Sequence, residues 1–233
     1  MNDIEYTKMN EVESNHFWYK TLHGLVIQQM DYGNRLIDLG CGTGGLISKI
    51  KSYFKEAEGT DYSDLSLEYA KRKNAEVVFF RTDLNSIEFA KSYDVITCID
   101  VLEYIENNLE FLKKVYQSLE NNGKFIINVP AFQWLVSYHD EKVGQNKRYS
   151  KIEIIELLKN AGFKIEYATF WNMILFPILL VKRKLIKSEN SDVDDMNPML
   201  NRILFSITRI ELFLTKMKIS LPFGSSIFVV ARK

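Results

Sequence analysis

The feature that most constrains the fold of this chain is a glycine-rich turn directly after a short apolar run. Residues 35–39 read Arg-Leu-Ile-Asp-Leu, and residues 40–45 read Gly-Cys-Gly-Thr-Gly-Gly. The run predicts a buried strand, and glycines let the backbone turn tightly and approach a ligand closely. A helix predicted from about Leu46 offers free N–H groups at its start. The segment therefore predicts a strand, loop and helix that bind a nucleotide-like ligand.

The glycine spacing disfavours two common nucleotide-binding loops. Gly40, Gly42 and Gly44 form G-x-G-x-G and lack the third glycine of the dinucleotide-binding G-x-G-x-x-G loop. The loop has no lysine, so it is not a Walker P-loop. A nicotinamide-dependent oxidoreductase is accordingly disfavoured.

Alternating strands and helices predict an α/β fold, with a parallel sheet covered on both faces. A helix with apolar Leu109, Leu112 and Val115 on one face is expected to end at Gly123 as a left-handed cap. Further helices are predicted within 6–30 and at 150–161. The other β-prone runs are 57–60, 77–80, 93–99, 124–129, 163–170 and 226–231.

Two acidic residues follow the second and third predicted strands. Asp61, 17 residues after Gly44, can accept hydrogen bonds from ribose hydroxyls, and Tyr62 offers a flat ring to adenine. Asp83 can accept from an exocyclic amine while Leu84 covers the ring. The alternative is that both carboxylates serve as helix N-caps or turn residues.

Taken together, these residues resemble the class I S-adenosylmethionine-dependent methyltransferases. The resemblance covers residues 35–170 and the final strand. It implies a Rossmann-like, seven-stranded, mostly parallel sheet whose last strand is antiparallel, with S-adenosylmethionine as cofactor, S-adenosylhomocysteine as product and no metal. The motifs that carry it occur in order along the chain: Leu36–Gly44, Asp61, Asp83 with Leu84, and the run Ser-Tyr-Asp-Val-Ile at 92–96.

The resemblance also implies a cofactor site at the carboxyl ends of the strands. Asp38 is expected to orient the glycine loop, and Gly40 to contact the methionine moiety. The cluster His-Phe-Trp-Tyr at 16–19 is expected either to form a lid over the sulfonium, which aromatic rings attract, or to pack on the sheet. The predicted cofactor-binding residues are Trp18, Tyr19, Asp38, Gly40, Cys41, Gly42, Gly44, Asp61, Tyr62, Thr82, Asp83, Leu84, Ile99, Asp100 and Val101.

Residues 98–105 resemble the V-L-E-H-I run of small-molecule and lipid-type methyltransferases, with Tyr104 at the usual histidine. Later in the chain, His139 beside Asp140 is a candidate general base for a hydroxyl, or else ties down a long loop. Arg148 can bind an anionic substrate group or pair with Asp140. The predicted catalytic residues are His139, Asp140 and Tyr104. The 16–19 cluster and this tract resemble a type 11-like subgroup whose members mostly lack assigned substrates.

A long segment separates the last two predicted strands, where the minimal family fold has a short hairpin. It combines an apolar helix at 171–181, a basic cluster at 182–184, an acidic linker and a second helix at about 198–218. Such a helix can lie at a membrane surface; a cap on the core and a dimer interface are the alternatives. The predicted domains are a lid (1–34), the methyltransferase core (35–170 with 225–233) and this helical insertion (171–224).

The composition of the chain limits the classes of partner that we expect. Thirty basic and 30 acidic residues leave no basic excess for nucleic acid, which is not expected as a partner. Cys41 and Cys98 lie in segments that are predicted to be buried, and the N-terminal residues show no signal-peptide pattern. Both features indicate a protein of the reducing cytoplasm. The longest uncharged stretch, 167–181, has 15 residues, fewer than the roughly 20 that a spanning helix needs.

The predicted function is methyl transfer to a small-molecule or lipid- or saccharide-linked acceptor, at oxygen; the alternative is a non-catalytic cofactor-binding module at membrane surfaces.

Overall fold

The computed structural model describes residues 3–136, 140, 147–185 and 196–233, apart from the side chains of 182–185. Seven strands form one sheet, and helices cover both of its faces. The strands are β1 Gly33–Leu39, β2 Phe54–Asp61, β3 Val78–Arg81, β4 Tyr93–Ile99, β5 Leu119–Pro130, β6 Lys164–Trp171 and β7 Ser226–Arg232. The helices are α1 Asp3–Val12, α2 Phe17–Ile27, α3 Ile47–Ile50, α4 Asp64–Lys73, α5 Asn108–Ser118, α6 Lys151–Asn160, α7 Phe176–Leu185 and α8 Pro198–Lys216.

The strand order is β3-β2-β1-β4-β5-β7-β6. The pairs from β3 to β5 are parallel, and β7 lies antiparallel between β5 and β6. The predicted seven-stranded, mostly parallel sheet with an antiparallel last strand is thus confirmed. Strand order reverses between β1 and β4, and ligands of open α/β sheets bind outside the carboxyl ends of strands at such a point.

Each face of the sheet carries its own apolar layer. Leu22, Ile47 and Leu67, from α2, α3 and α4, pack on one face. Phe111 and Leu112 of α5 pack on the other, together with residues of α6. The central strand β4 between these layers is buried along most of its length, which explains its largely apolar sequence.

Some predicted boundaries are wrong. Helix α5 ends at Ser118, and β5 begins at Leu119, five residues before the predicted strand. The left-handed residue is Asn122, with φ of 64°, and not Gly123; asparagine tolerates this conformation because its short side chain can hydrogen-bond locally. The helix expected after the glycine loop covers only Ile47–Ile50.

Helix α8 lies against α2, and several hydrogen bonds join the two helices. The hydroxyls of Thr21 and Thr208 hydrogen-bond at 2.6 Å, and Gln28 Nε2 donates to Leu212 O at 2.9 Å. The side chain of Asn201 accepts from Phe17 N at 2.7 Å. The second helix of the 171–219 segment therefore packs on the core. Among the described residues, no helix has both the length and the hydropathy that a membrane crossing requires.

Candidate functional site

A cavity of about 780 Å³ lies at the carboxyl ends of the central strands. Its lining comes from the glycine loop, the ends of β2 and β4, the two N-terminal helices and the 171–219 segment. All of the predicted cofactor-binding residues except Gly44 line it, as do Tyr104 and Asp140.

The glycine loop is held by the end of β2. The amides of Gly40 and Cys41 both donate to Thr60 O, at 2.8 and 2.9 Å. Gly40 has φ of 71°, and a Cβ built there would lie 2.3 Å from Val101 Cγ2. Both the conformation and the space therefore require glycine at this position.

Gly44 has a different role from the predicted one. Its φ is 80°, and a Cβ there would lie 2.9 Å from Ala70 Cβ. Asn74 Nδ2 donates to Gly44 O at 3.1 Å. Gly44 thus allows the loop to pack closely on α4, and it is not among the residues that line the cavity.

The carboxylate of Asp61 accepts three hydrogen bonds from the surrounding residues. Its Oδ2 accepts from the amide of Gly42 at 3.0 Å, and its Oδ1 accepts from the amide of Ser63 at 3.0 Å. The hydroxyl of Tyr6 on α1 donates to the same Oδ1 at 3.0 Å. The carboxylate therefore ties the glycine loop and the N-terminal helix to the end of β2.

Asp38 is buried beneath the loop, and Thr97 Oγ1 on β4 donates to its Oδ1 at 2.6 Å. Burial raises the pKa of this carboxyl to about 7, although the Thr97 hydrogen bond opposes the shift. This hydrogen bond goes to the neighbouring strand, and the orienting role of Asp38 towards the glycine loop stays a prediction.

The residues predicted to surround adenine lie at the outer part of the cavity. Asp83 accepts from Asn85 N at 3.0 Å and so caps the 3-10 turn Leu84–Ser86. It thus has the capping role of the alternative interpretation while also lining the cavity. Tyr62 is exposed, and the guanidinium of Arg81 lies 5.1 Å from the centre of its ring.

The end of β4 contains a strained residue. Asp100 has φ of 55°, and its Oδ1 accepts from Asn128 Nδ2 at 2.7 Å. Asn128 Oδ1 in turn accepts from Trp171 Nε1 at 2.7 Å. Burial raises the pKa of Asp100 to about 6, against the hydrogen bond from Asn128. Strain of this kind in a non-glycine residue is concentrated at functional sites.

The N-terminal helices close one side of the cavity. His16 accepts from Trp18 N at 3.3 Å and so caps α2, while Trp18 and Tyr19 line the cavity. The ring of Trp18 lies 4.3 Å from that of Trp171. Trp18 thus packs on the end of β6 and borders the cavity, while its role as a lid over the sulfonium stays a prediction.

The predicted substrate-side loop is described only in part. Arg148 Nη2 donates to Asp140 Oδ2 at 2.6 Å, and both side chains are buried. Of the two alternatives predicted for Arg148, the structure therefore shows the ion pair with Asp140. His139 lies outside the described residues.

Several residues that line the cavity were not predicted from the sequence. Tyr6 and Glu13 come from the first helix and the turn after it, and Asn172 and Ser225 lie at the ends of β6 and before β7. Asn172 directly follows a strand, and this position is a signal that could have identified it. Nothing in the local sequence distinguishes Tyr6 from a surface tyrosine.

Comparison with known proteins found a matching family and several relatives. A family model described as a methyltransferase domain matches residues 15–168. The ubiquinone biosynthesis O-methyltransferase of Rickettsia bellii (strain OSU 85-389) is 23% identical over 148 residues, or 56% of this chain and 62% of that protein. N-methyltransferase 4 of Papaver somniferum is 26% identical over 137 residues, or 55% of this chain and 38% of its own length. The chain thus matches less than two thirds of either relative.

Solved structures show the same fold. The phosphoethanolamine N-methyltransferase 2 of Haemonchus contortus, in complex with S-adenosylmethionine, has a TM-score of 0.66 at 23% identity, covering 100% of this chain and 57% of that one. An S-adenosylmethionine-dependent methyltransferase from Mesorhizobium loti has a TM-score of 0.64 at 17% identity, covering 95% and 100%. At these identities the likeness shows the fold alone.

Proposed function

This chain belongs to the family of S-adenosylmethionine-dependent methyltransferases with the class I fold, and on that premise we propose that it transfers the methyl group to an oxygen of a small-molecule or lipid- or saccharide-linked acceptor. One observation carries the proposal: a single cavity joins the glycine loop and Asp61 to residues at the ends of β5 and β6. Donor and acceptor can therefore meet in one cavity.

The residues of the cavity fit S-adenosylmethionine. Asp61 and Asp83 can accept hydrogen bonds from the ribose and the adenine amine. Glu13 Oε2 is buried without a hydrogen-bond partner among the described residues and can accept from the methionine ammonium. Its other oxygen accepts from Thr43 Oγ1 at 2.6 Å and pairs with Lys73, which fixes the carboxylate beside the glycine loop.

S-adenosylmethionine supplies an activated methyl group on its sulfonium, so the protein has to align the acceptor, exclude water and take up a proton. The rings of Trp18 and Tyr19 border the cavity and shield it from water. For the proton, we propose His139 with Asp140, since a neutral imidazole can accept from a hydroxyl at neutral pH. Tyr104, which also lines the cavity, is the other candidate for contact with the acceptor.

Calorimetry with S-adenosylmethionine and S-adenosylhomocysteine tests the cofactor assignment. We expect both to bind to the wild type, and Asp61→Ala to bind at least 10-fold more weakly, because a charged hydrogen bond is worth about 1.5–3 kcal/mol. Arg35→Ala, which removes an exposed partner of Glu56 far from the cavity lining, is the control. Absence of binding at millimolar cofactor contradicts the proposal.

The oxygen chemistry needs its own test. With an acceptor in hand, His139→Ala should lower turnover far more than cofactor affinity, and turnover unchanged in this variant removes His139 from the mechanism. Full cofactor binding without turnover on any acceptor class favours the alternative, a non-catalytic module.

A cytoplasmic location with peripheral membrane contact through 171–219 is a further part of the proposal. Its support is a set of exposed apolar residues on α8: Met199, Ile203, Ile210 and Phe213. Within 171–219, eight basic residues against five acidic ones favour an anionic surface. Liposome flotation with and without anionic lipid tests this contact. A homodimer through the same face predicts instead a doubled mass in solution and no flotation.

A further inference from the structure

The cavity extends past the predicted cofactor-binding residues into a space between α7 and α8. Its described lining there is apolar: Leu175 before α7, Ile178 and Leu179 on α7, and Leu204 on α8. We call this space the α7–α8 channel. Ile178 lines the channel and is nevertheless 66% exposed, so this end of the channel opens at the molecular surface.

The inner end of the channel is polar and incompletely satisfied. Asn172 is 3% exposed and has φ of 59°, a left-handed conformation that asparagine adopts more readily than most residues. Its Nδ2 donates to Ser225 Oγ at 2.9 Å, whereas its Oδ1 is buried and has no hydrogen-bond partner among the described residues. Buried acceptors are rarely left without a donor, so this oxygen points to a ligand that carries one.

The surrounding contacts hold Asn172 in this position. Glu211 of α8 is fully buried, and its Oε1 accepts from Ile174 N at 2.9 Å. The turn that carries Asn172 is therefore fastened to α8, the same helix that supplies one wall of the channel. The turn that carries the polar Asn172 and the helix α8 that supplies an apolar wall of the channel are thus in direct contact.

From these features we propose that the methyl acceptor is an amphiphile, with a hydroxyl-bearing head that donates a hydrogen bond to Asn172 Oδ1 and one apolar chain that lies in the α7–α8 channel. The inference rests on the proposed function, because it names the class of acceptor for that same cavity. A wholly polar acceptor would leave the channel walls in contact with water, at a cost that grows with their apolar area.

A series of para-alkylphenols tests the inference, because the phenol hydroxyl stays constant while the chain lengthens. Binding from para-propylphenol to para-nonylphenol is measured by calorimetry, below micelle-forming concentrations and with saturating S-adenosylhomocysteine. We expect affinity to rise about 4-fold for each methylene that the channel buries. Affinity that does not depend on chain length overturns the inference.

Two isoleucines provide a matched pair of variants. Ile178→Asp places a charge at the channel mouth, whereas Ile152→Asp places one on α6, at a residue that is 71% exposed and is not among the lining residues. We expect Ile178→Asp to weaken para-nonylphenol at least 10-fold and para-propylphenol little, and Ile152→Asp to weaken neither. Equal effects of the two substitutions on para-nonylphenol overturn the inference.

The head group is tested separately. Asn172→Ala should weaken every phenol of the series by a similar factor of about 5, since one hydrogen bond is lost at any chain length. Binding of S-adenosylhomocysteine and the melting temperature are measured first for each variant. If the wild type fails to bind S-adenosylhomocysteine, the proposed function fails; if it binds that compound but shows no chain-length dependence, only this inference fails.

Discussion

At the scale of single residues, the carboxylate of Asp61 has few acceptor positions left for a cofactor. An ionised carboxylate offers about four lone-pair positions, and three donors already use this one: the amides of Gly42 and Ser63 and the hydroxyl of Tyr6. A ribose diol needs two acceptor positions. The two amides belong to the loop and to the start of α4, so Tyr6 is the donor that has to give way.

Replacement of Tyr6 by phenylalanine should therefore strengthen cofactor binding. The ring and its packing remain, while the competing hydroxyl is lost, and we expect the Kd of S-adenosylhomocysteine to fall about 5-fold in calorimetry. Tyr32→Phe, at an exposed tyrosine, is the control and should leave the Kd unchanged. Weaker binding by Tyr6→Phe would mean that the Tyr6 hydroxyl helps to hold the cofactor.

The same residues show what the sequence can reveal about a site. Asp61 and Asp83 were predicted because each follows a strand, so its place at the carboxyl edge of the sheet is a local property. The contact between Tyr6 and Asp61 spans 55 residues of chain. A contact of that kind depends on how α1 docks, and no local pattern encodes it.

At the scale of elements, the contact of α8 with the β6–α7 turn depends on one buried acid. Glu211 is fully buried and accepts from the amide of Ile174. Burial raises the pKa of its carboxyl, while hydrogen bonds from backbone amides of the turn oppose the shift. Removing it leaves those amides without an acceptor and loosens Asn172.

We expect Glu211→Ala to lower the free energy of unfolding by about 2 kcal/mol, because the loss of the acceptor of the Ile174 amide alone costs about 1–3 kcal/mol. Urea titration measures the effect. Glu211→Gln keeps one carbonyl acceptor and should lose less than half as much. If the two variants lose equal stability, the carboxylate does not act through the turn amides.

The elements themselves were largely predictable. The strand 93–99 was placed correctly, since a run buried on both faces carries a strong apolar signal. The end of α5 was misplaced because Asn122-Gly123 was interpreted as a helix cap, whereas the chain enters β5 before reaching it. The docking of α8 on α2 was not predictable, because it uses pairs such as Thr21 and Thr208 that are ordinary helix residues until they meet.

At the scale of the whole molecule, buried titratable groups act in opposite directions on stability. Burial raises the pKa of Asp38 to about 7, above the ordinary 3.8. Between those values the unfolded chain loses its proton first, so this residue makes the folded state less stable as pH rises. Burial lowers the pKa of His16 and of His23 to about 4. The histidines therefore make the folded state less stable as pH falls from about 6.5 to 4.

Asp38→Asn removes the buried carboxylate and so isolates its contribution to the pH dependence of stability. The difference in unfolding free energy between variant and wild type should grow in favour of the variant from pH 4 to 7 and level off near 2–4 kcal/mol, since one pKa unit is about 1.4 kcal/mol. Thr97→Val removes a hydrogen bond that favours the ionised form and should steepen the decline with pH. A constant difference across this range contradicts the assignment to Asp38.

The position of β7 has a consequence for how the protein is made. This strand comes after all the others along the chain, yet it lies between β5 and β6. During translation, β5 and β6 therefore leave the ribosome before the strand that pairs with both of them. A nascent chain that stalls before β7 exposes two strand edges at once, which are sites for pairing with another chain. Synthesis of this protein is thus most vulnerable to aggregation during the interval in which α7 and α8 are being translated.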